Sequence, residues 1–220
     1  LLERGFGPAH PKIAVAYRRE SAHWRHNGRL DRALAKAERA LAIMEKARGN
    51  ESGFLLPNLA ALAPIYRNMG RVAEGEALCR RGLEIQRATF GEFHPSGLEW
   101  HVCIGRALED RGNFLGAEAL LKRYYQGLSA HHAPTSPTTL AGLRALGDAY
   151  TQWGENEKAL GAFREVLKRQ TEALGTRHPG LQSTQIATAD QLITLGRLDE
   201  AEALLLPAIT ASEFAGPMQG

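Results

Sequence analysis

The feature that most constrains this chain is a repeat of 42 residues. His10-Pro11 recurs at His94-Pro95 and His178-Pro179, and Ser52-Gly53 and Ser136-Pro137 lie halfway between these pairs. A glycine recurs on the same period without any adjustment of register: Gly28, Gly70, Gly112, Gly154 and Gly196. Such a period predicts a stack of similar units that bury their apolar surfaces against their neighbours.

Each unit is predicted to form two helices joined at the marker glycine. Apolar residues recur at three- and four-residue steps, and good helix formers dominate, whereas the sustained alternation of strands is missing. Glycine suits a tight turn because positive φ costs it nothing. Small residues five positions after the glycine allow close helix approach: Ala33, Gly75, Ala117, Ala159 and Ala201. Bulky residues four positions before it fill the space between helices: Trp24, Tyr66, Leu108, Tyr150 and Leu192.

These columns resemble those of the tetratricopeptide repeat (TPR). The usual TPR unit has about 34 residues, and the longer unit here resembles the 42-residue subtype of kinesin light chains. The segment Cys79–Ile85, followed by Phe90-Gly91 and His94-Pro95, is typical of that subtype. The resemblance implies an all-α fold, a right-handed superhelical solenoid of antiparallel helix pairs.

We therefore expect one TPR-like solenoid over residues 1–220. Residues 1–7 would be the end of an upstream repeat, and the five repeats would follow at 8–49, 50–91, 92–133, 134–175 and 176–216. Solenoid ends need a polar cap for solubility, and neither end shows one. The chain is thus expected to be a fragment of a longer protein, with homo-oligomerisation through uncapped ends as the other option.

Composition excludes several classes of protein. With 44% hydrophobic residues and a net charge of +3, the 220-residue chain is too apolar and too weakly charged for a disordered protein. Because no run approaches about 18 apolar residues, we expect no membrane span. Arginines do not alternate with aromatic residues, so we expect no nucleic-acid partner.

The sequence offers little for catalysis, and we predict that the chain is not an enzyme and needs no cofactor. His10, His94 and His178 lie two repeats apart, about 20 Å or more given the usual spacing of packed helices, and cannot share a metal ion. We interpret them as turn residues. Motifs for a nucleophile or a bound phosphate are missing. Cys79 and Cys103 are interpreted as small core residues and not as a redox pair.

The face of the first helix of each repeat that points away from the packing seam is the candidate site. In TPR stacks, the resemblance implies, this face lines a concave groove that holds peptides. The candidate groove residues are Arg18, Arg25, Arg67, Arg106, Arg144 and Asp148. Since guanidinium groups match carboxylates, we expect a protein or peptide partner with acidic residues. The alternative is that these side chains are solvated or pair among themselves, for example Arg144 with Asp148.

The predicted function is that of a non-catalytic interaction scaffold or adaptor, located in the cytoplasm, that binds a partner in the groove of the first helices. Kinesin light chains carry paired asparagines on these helices that clamp peptide backbone; here those positions hold Arg18-Arg19, Ala60-Ala61, Val102-Cys103, Arg144-Ala145 and Ile186-Ala187. This departure favours a general relative over a motor subunit. The alternative function is a sensor or oligomerisation arm of a larger multidomain signalling protein whose catalytic domain lies outside this chain.

Overall fold

The computed structural model describes residue 7, residues 9–176 and residues 178–214, and in this part of the chain every regular element is helical. The α-helices are α1 (Pro11–His26), α2 (Leu30–Arg48), α3 (Leu56–Asn68), α4 (Val72–Phe90), α5 (Gly97–Asp110), α6 (Phe114–His131), α7 (Pro137–Gln152), α8 (Asn156–Leu174), α9 (Gln182–Thr194) and α10 (Leu198–Phe214). Short 3-10 turns at Gly53–Leu55 and Pro179–Leu181 precede α3 and α9. Residues 1–6 of the expected upstream helix end, residue 8 of the expected first repeat and residues 177, 215 and 216 of the expected fifth repeat lie outside the described residues.

The chain divides into two compact units, Leu1–Leu120 and Leu121–Gly220. In the first unit α1 packs on α2, α3 packs on both α2 and α4, and α4 packs on α5. One hydrophobic core runs through these helices, with Ile13, Leu59 and Ile104 among its fully buried side chains. The apolar stripe of each helix is thus covered by its sequence neighbours.

The second unit repeats this arrangement. Helix α7 packs on α8, α8 on α9, and α9 on α10. Buried side chains hold it together, among them a group around Leu140, Leu143 and Val166 and another around Leu160 and Leu192. Within each unit the contacts are therefore between helices that are close in sequence.

The marker glycines form the turns for which they were predicted. Their φ angles lie between +70° and +76°, the left-handed region that favours glycine. The residue after each glycine donates its N–H to the carbonyl of the bulky residue four positions before it, as from Arg29 to Trp24 at 2.9 Å and from Glu155 to Tyr150 at 2.9 Å. This bond ends the first helix in the manner of a Schellman motif. The bulky residue of each repeat thus packs with its side chain and terminates the first helix with its carbonyl.

A second glycine series was not recognised in the sequence. Gly49, Gly91 and Gly175 end α2, α4 and α8 with φ between +84° and +94°, and Gly7 adopts φ +79°. They too follow the 42-residue period, but Ala133 occupies the position where the next glycine would stand. That interruption hid the series.

The His-Pro and Ser-Pro pairs begin the first helix of a repeat. The Nδ1 atom of His10 accepts the Lys12 amide at 3.2 Å, that of His178 accepts the Gly180 amide at 3.0 Å, and Ser136 Oγ accepts the Thr139 amide at 3.1 Å. Pro11 and Pro137 are the first residues of their helices, where a missing N–H is harmless. These bonds place the histidines in the turns as interpreted from the sequence.

Candidate functional site

Helices α3, α4 and α5 of the first unit line an open cavity of about 480 Å³. Its apolar wall includes Ala63 and Pro64 from α3 and Leu98 and Val102 from α5. A Cβ atom added to Gly75 on α4 would lie 3.0 Å from the Ala63 carbonyl oxygen, so the small-residue column brings α3 and α4 together at the back of the cavity. We call this space the α3–α5 cavity.

Charged side chains surround the α3–α5 cavity. Arg67 lines it and forms an ion pair with Asp110, with Nε 3.0 Å from Oδ2, which links α3 to α5. Arg106 and Glu99 also line it from α5; both are exposed and neither forms an ion pair within the described part of the chain. The cavity therefore offers an apolar wall beside a cation and an anion that the described residues leave without an ion pair.

Arg18 and Arg25 lie seven residues apart on α1, two helical turns along the same face. Both are half-buried, and in the described residues neither is part of an ion pair. Among the described residues their guanidinium groups thus have no carboxylate partner, whereas Arg67 is already matched by Asp110.

The back of the cavity contains a buried carboxylate that sequence reasoning missed. Glu76, on α4, has a side chain only 8% exposed; Arg80 Nη2 lies 2.7 Å from its Oε1 and Arg111 Nη1 lies 3.0 Å from its Oε2. The contact with Arg111 is an ion pair without hydrogen-bond geometry. Arg80, four residues after Glu76, is the signal in the sequence that could have revealed the pair. Two cations thus neutralise one buried anion.

The interpretation of the two cysteines as separate core residues was wrong. Cys79 of α4 and Cys103 of α5 form a disulfide, and both line the α3–α5 cavity. Their Cα atoms are 5.8 Å apart, within the range of about 5.5–6 Å most common for disulfides. The bond joins a second helix of one predicted repeat to the first helix of the next. The pairing escaped sequence reasoning because only inter-repeat packing brings the two positions together.

The turn before α4 is fixed by a polar cluster next to Arg67. Tyr66 donates its hydroxyl to Glu38 Oε1 at 2.7 Å, and the Arg71 guanidinium lies 4.4 Å from the Tyr66 ring centroid. Burial, followed by the bond to Glu38, raises the pKa of Tyr66, so the phenol stays a donor. The hydrogen bond from Arg71 lowers the pKa of Glu74. This cluster holds the end of α3 and with it the backbone that carries Arg67.

The second unit contains the remaining predicted site residues. Arg144 on α7 donates to Ser183 Oγ at 3.0 Å and to Thr184 Oγ1 at 3.4 Å. Both acceptors lie in the first turn of α9. It also lines a cavity of about 330 Å³ together with Leu140 and Val166. Asp148 is exposed on the same helix. Arg144 is thus oriented by hydroxyl groups of the neighbouring first helix.

Nothing in the described residues groups three His, Cys, Asp or Glu side chains as metal ligands. His10, His94 and His178 each engage a backbone amide at the start of a repeat.

Among the described helices, none has both the length and the apolar composition needed to cross a bilayer.

Comparison with known families gives a consistent result. Models of the tetratricopeptide repeat match residues 54–130 and 139–180, together more than half of the chain. Two curated relatives from Arabidopsis thaliana, KINESIN LIGHT CHAIN-RELATED 1 and 2, are each 25% identical, over 175 and 193 residues, or 79% and 84% of this chain. The chain spans only 28% of the length of these relatives.

Solved structures agree with the family comparison. A Podosopora anserina protein described as a kinesin light chain with nearly identical TPR-like repeats is 25% identical with a TM-score of 0.70, and the match covers 94% of this chain and 98% of that one. BtubC (BKLC) from P. vanneervenii, 17% identical, covers all of this chain and 94% of its own length with a TM-score of 0.66, and shares the fold. The all-α, TPR-like fold predicted from the sequence is thereby confirmed.

Proposed function

Because the chain belongs to the tetratricopeptide-repeat family, with a kinesin-light-chain-like form of the repeat, we propose that it is a non-catalytic interaction scaffold or adaptor. The partner, a peptide or a protein segment, lies along the first helices of the repeats, which in the first unit are α1, α3 and α5. We place the protein in the cytoplasm, with neither a nucleic acid nor a cofactor as ligand.

The observation that most supports this proposal is the α3–α5 cavity. A cavity of about 480 Å³ with an apolar wall is large enough for one or two side chains of a partner, and burial of those side chains would supply affinity. Charged groups at the edge would then fix the orientation and select the partner. Glu99 and Arg106, which have no ion-pair partner among the residues that the structure describes, suit a segment that carries charge of both signs.

The arginines of α1 favour a partner with acidic residues. Within the described part of the chain, Arg18 and Arg25 have no carboxylate partner, and the one acidic residue of α1, Glu20, pairs with Lys36 of α2 at 2.7 Å. A carboxylate of a partner could accept two hydrogen bonds from one of these guanidinium groups, and few existing contacts of the arginines would have to break. Arg67 contributes less, because a ligand carboxylate must compete with Asp110.

A peptide array tests the proposal. The wild type is compared with an Arg18→Glu/Arg25→Glu/Arg106→Glu variant, and with a charge-matched control, Arg29→Glu/Lys46→Glu/Arg48→Glu, whose exposed residues lie on α2 and its preceding turn. We expect peptides rich in Asp and Glu to lose about tenfold or more in affinity for the first variant only, with weaker binding in high salt. Equal binding by all three proteins would remove the basic surface from the proposal.

The second candidate function is a sensor or oligomerisation arm of a larger signalling protein. It is favoured by the relatives, in which the matched segment is only 28% of the length. In that case the same surface would bind another domain of the same chain. Sequencing the complete reading frame decides between the two: a phosphate-binding loop or a protease motif outside the repeats supports the arm.

A further inference from the structure

We propose that the Cys79–Cys103 pair is a thiol–disulfide switch that controls ligand access to the α3–α5 cavity. The bond of the oxidised form holds the Cys103 sulfur against Cys79 at the cavity wall, and reduction by a dithiol frees the Cys103 side chain to move into the cavity. This inference rests on the proposed function, since the surface it regulates is the proposed binding surface.

The position of the bond supports control and not merely cross-linking. Both cysteines lie well inside their helices, so the bond fixes how α4 and α5 are placed against each other and not the fraying of a terminus. Both sulfur-bearing residues line the cavity together with Val102 and Arg106. A change of covalent state therefore takes place in the wall against which a ligand would lie.

The two sulfurs differ in accessibility, which determines the order of the chemistry. Cys79 is 2% exposed, whereas Cys103 is half-buried and borders the cavity. An incoming thiolate attacks Cys103 Sγ from the cavity, forms a mixed disulfide there and expels Cys79 as a thiolate that takes up a proton. The second thiol of the reductant then attacks the reductant's first sulfur in the mixed disulfide. This closes the reductant's disulfide and releases Cys103. Two electrons and two protons pass from the dithiol, which ends as a disulfide, to Cys79 and Cys103.

Charge around the pair favours this attack. Arg106 lies one turn from Cys103, lines the same cavity and has no ion pair within the described residues. A cation near a disulfide attracts the attacking thiolate and stabilises it. Glu76, one turn before Cys79, does not oppose the attack, because Arg80 and Arg111 neutralise it.

Reduction changes the cavity because two unbonded sulfurs need more separation than two bonded ones. Separation of α4 from α5 at this level would lose packing, because the Trp100 ring of α5 lies against Gly82 of α4, one turn after Cys79, where a Cβ would be. The Cys103 side has open space, since it faces the cavity. The Cys103 thiol therefore moves into the cavity, and the reduced protein has a smaller and more polar binding surface.

The first measurement asks whether the bond exists and which sulfur is attacked. Unfolding in iodoacetamide should give no adduct on the oxidised wild type and two adducts after dithiothreitol. Brief treatment of the folded protein with glutathione should trap the mixed disulfide on Cys103, located by peptide mass mapping. Two adducts without reductant would show that the cysteines are free and would overturn the proposal.

The second measurement asks whether the bond controls the cavity. The probe is 8-anilinonaphthalene-1-sulfonate, an aromatic anion suited to an apolar wall beside Arg106. We expect a several-fold loss of probe affinity when the wild type is reduced, and no response to reductant in the matched Cys79→Ala/Cys103→Ala variant. A Val102→Trp variant, which fills the cavity and keeps both cysteines, should bind the probe weakly in either state.

Equal probe binding by oxidised and reduced wild type would mean a structural cross-link only and would overturn the switch. Because this readout uses neither a peptide nor the arginines of α1, it can fail while the peptide array succeeds, and the reverse. Slower reduction of an Arg106→Gln variant at low salt, relative to wild type, would support the assigned role of that cation.

Discussion

Single residues determine how closely the helices approach, and Gly82 shows this most clearly. A Cβ atom built at Gly82 would lie 2.2 Å from a ring carbon of Trp100, which is itself 2% exposed and cannot move aside. By contrast, Gly161 on α8 has nothing within 4 Å of an added Cβ. The same residue type is therefore required at one helical position and merely tolerated at the other.

This contrast predicts opposite effects of the same substitution. Gly82→Ala should lower the free energy of unfolding by about 1–3 kcal/mol through overpacking, in excess of its gain in helix propensity. Gly161→Ala should raise it by about 0.5–1 kcal/mol, because alanine loses less backbone entropy in a helix. Urea denaturation followed by circular dichroism measures both. Similar values for the two variants would contradict the packing argument.

A buried tyrosine predicts sensitivity to alkali. Burial raises the pKa of Tyr124 to about 12 from an ordinary value of 10.0, so folding favours the neutral phenol. Its contribution to stability is complete below pH 10 and is lost as the pH rises from 10 towards 12. Denaturation midpoints of the wild type should fall over this range more steeply than those of Tyr124→Phe. Parallel curves for the two proteins would assign the alkaline loss to other groups.

At the scale of the element, a His or Ser side chain accepts a backbone amide at the start of each repeat. Ser136 Oγ accepts the Thr139 amide at 3.1 Å and donates to Thr139 Oγ1 at 3.0 Å, and His178 fills the same role before α9 with its ring nitrogen. Serine and histidine alternate at this position. The start of each repeat therefore requires a side-chain acceptor and does not require an imidazole ring.

Removing the cap should therefore cost stability, and replacing it should not. Ser136→Ala is expected to lower the free energy of unfolding by about 1 kcal/mol, since the Thr139 amide loses its acceptor. Ser136→Asp retains an oxygen acceptor and should remain close to the wild type. The comparison by urea denaturation isolates the cap from the loss of side-chain volume, and equal losses in both variants would refute it.

The turns and caps were predictable because they depend on residues close in sequence. The 42-residue period gave the helix pairs, the turn glycines and the proline starts from local chemistry alone. The contacts of Arg67 with Asp110, Glu76 with Arg111 and Cys79 with Cys103 were not predictable, since each joins different predicted repeats. Such pairs depend on side-chain reach across an inter-repeat interface, which no periodicity encodes. The candidate cavity was missed for the same reason.

At the scale of the whole molecule, stability is expected to be local. In each unit, the contacts between the described helices are mainly between helices that follow one another. In such proteins a destabilising change first affects the helices that pack directly against the altered residue.

Substitutions that truncate a core side chain should therefore destabilise mainly the neighbouring helices. Trp100→Ala, which is expected to cost about 3–5 kcal/mol, should speed amide hydrogen exchange in α4 and α5 first. Phe163→Ala, at the contact with Gly147, should do so in α7 and α8. Hydrogen exchange followed by mass spectrometry resolves these segments. Uniform loss of protection over all described helices in both variants would show that the chain unfolds as one cooperative body.

The recurring left-handed glycines also limit the lengths by which the gene can grow. An in-frame duplication of 42 codons leaves every turn glycine, cap and proline aligned with its structural role, wherever the breakpoints fall. A tandem duplication of 40 codons leaves the element at the junction two residues short, and in a helix this rotates the apolar stripes on either side of the junction by about 200° relative to each other. Natural or engineered variants of different length should therefore differ by whole multiples of the 42-residue repeat.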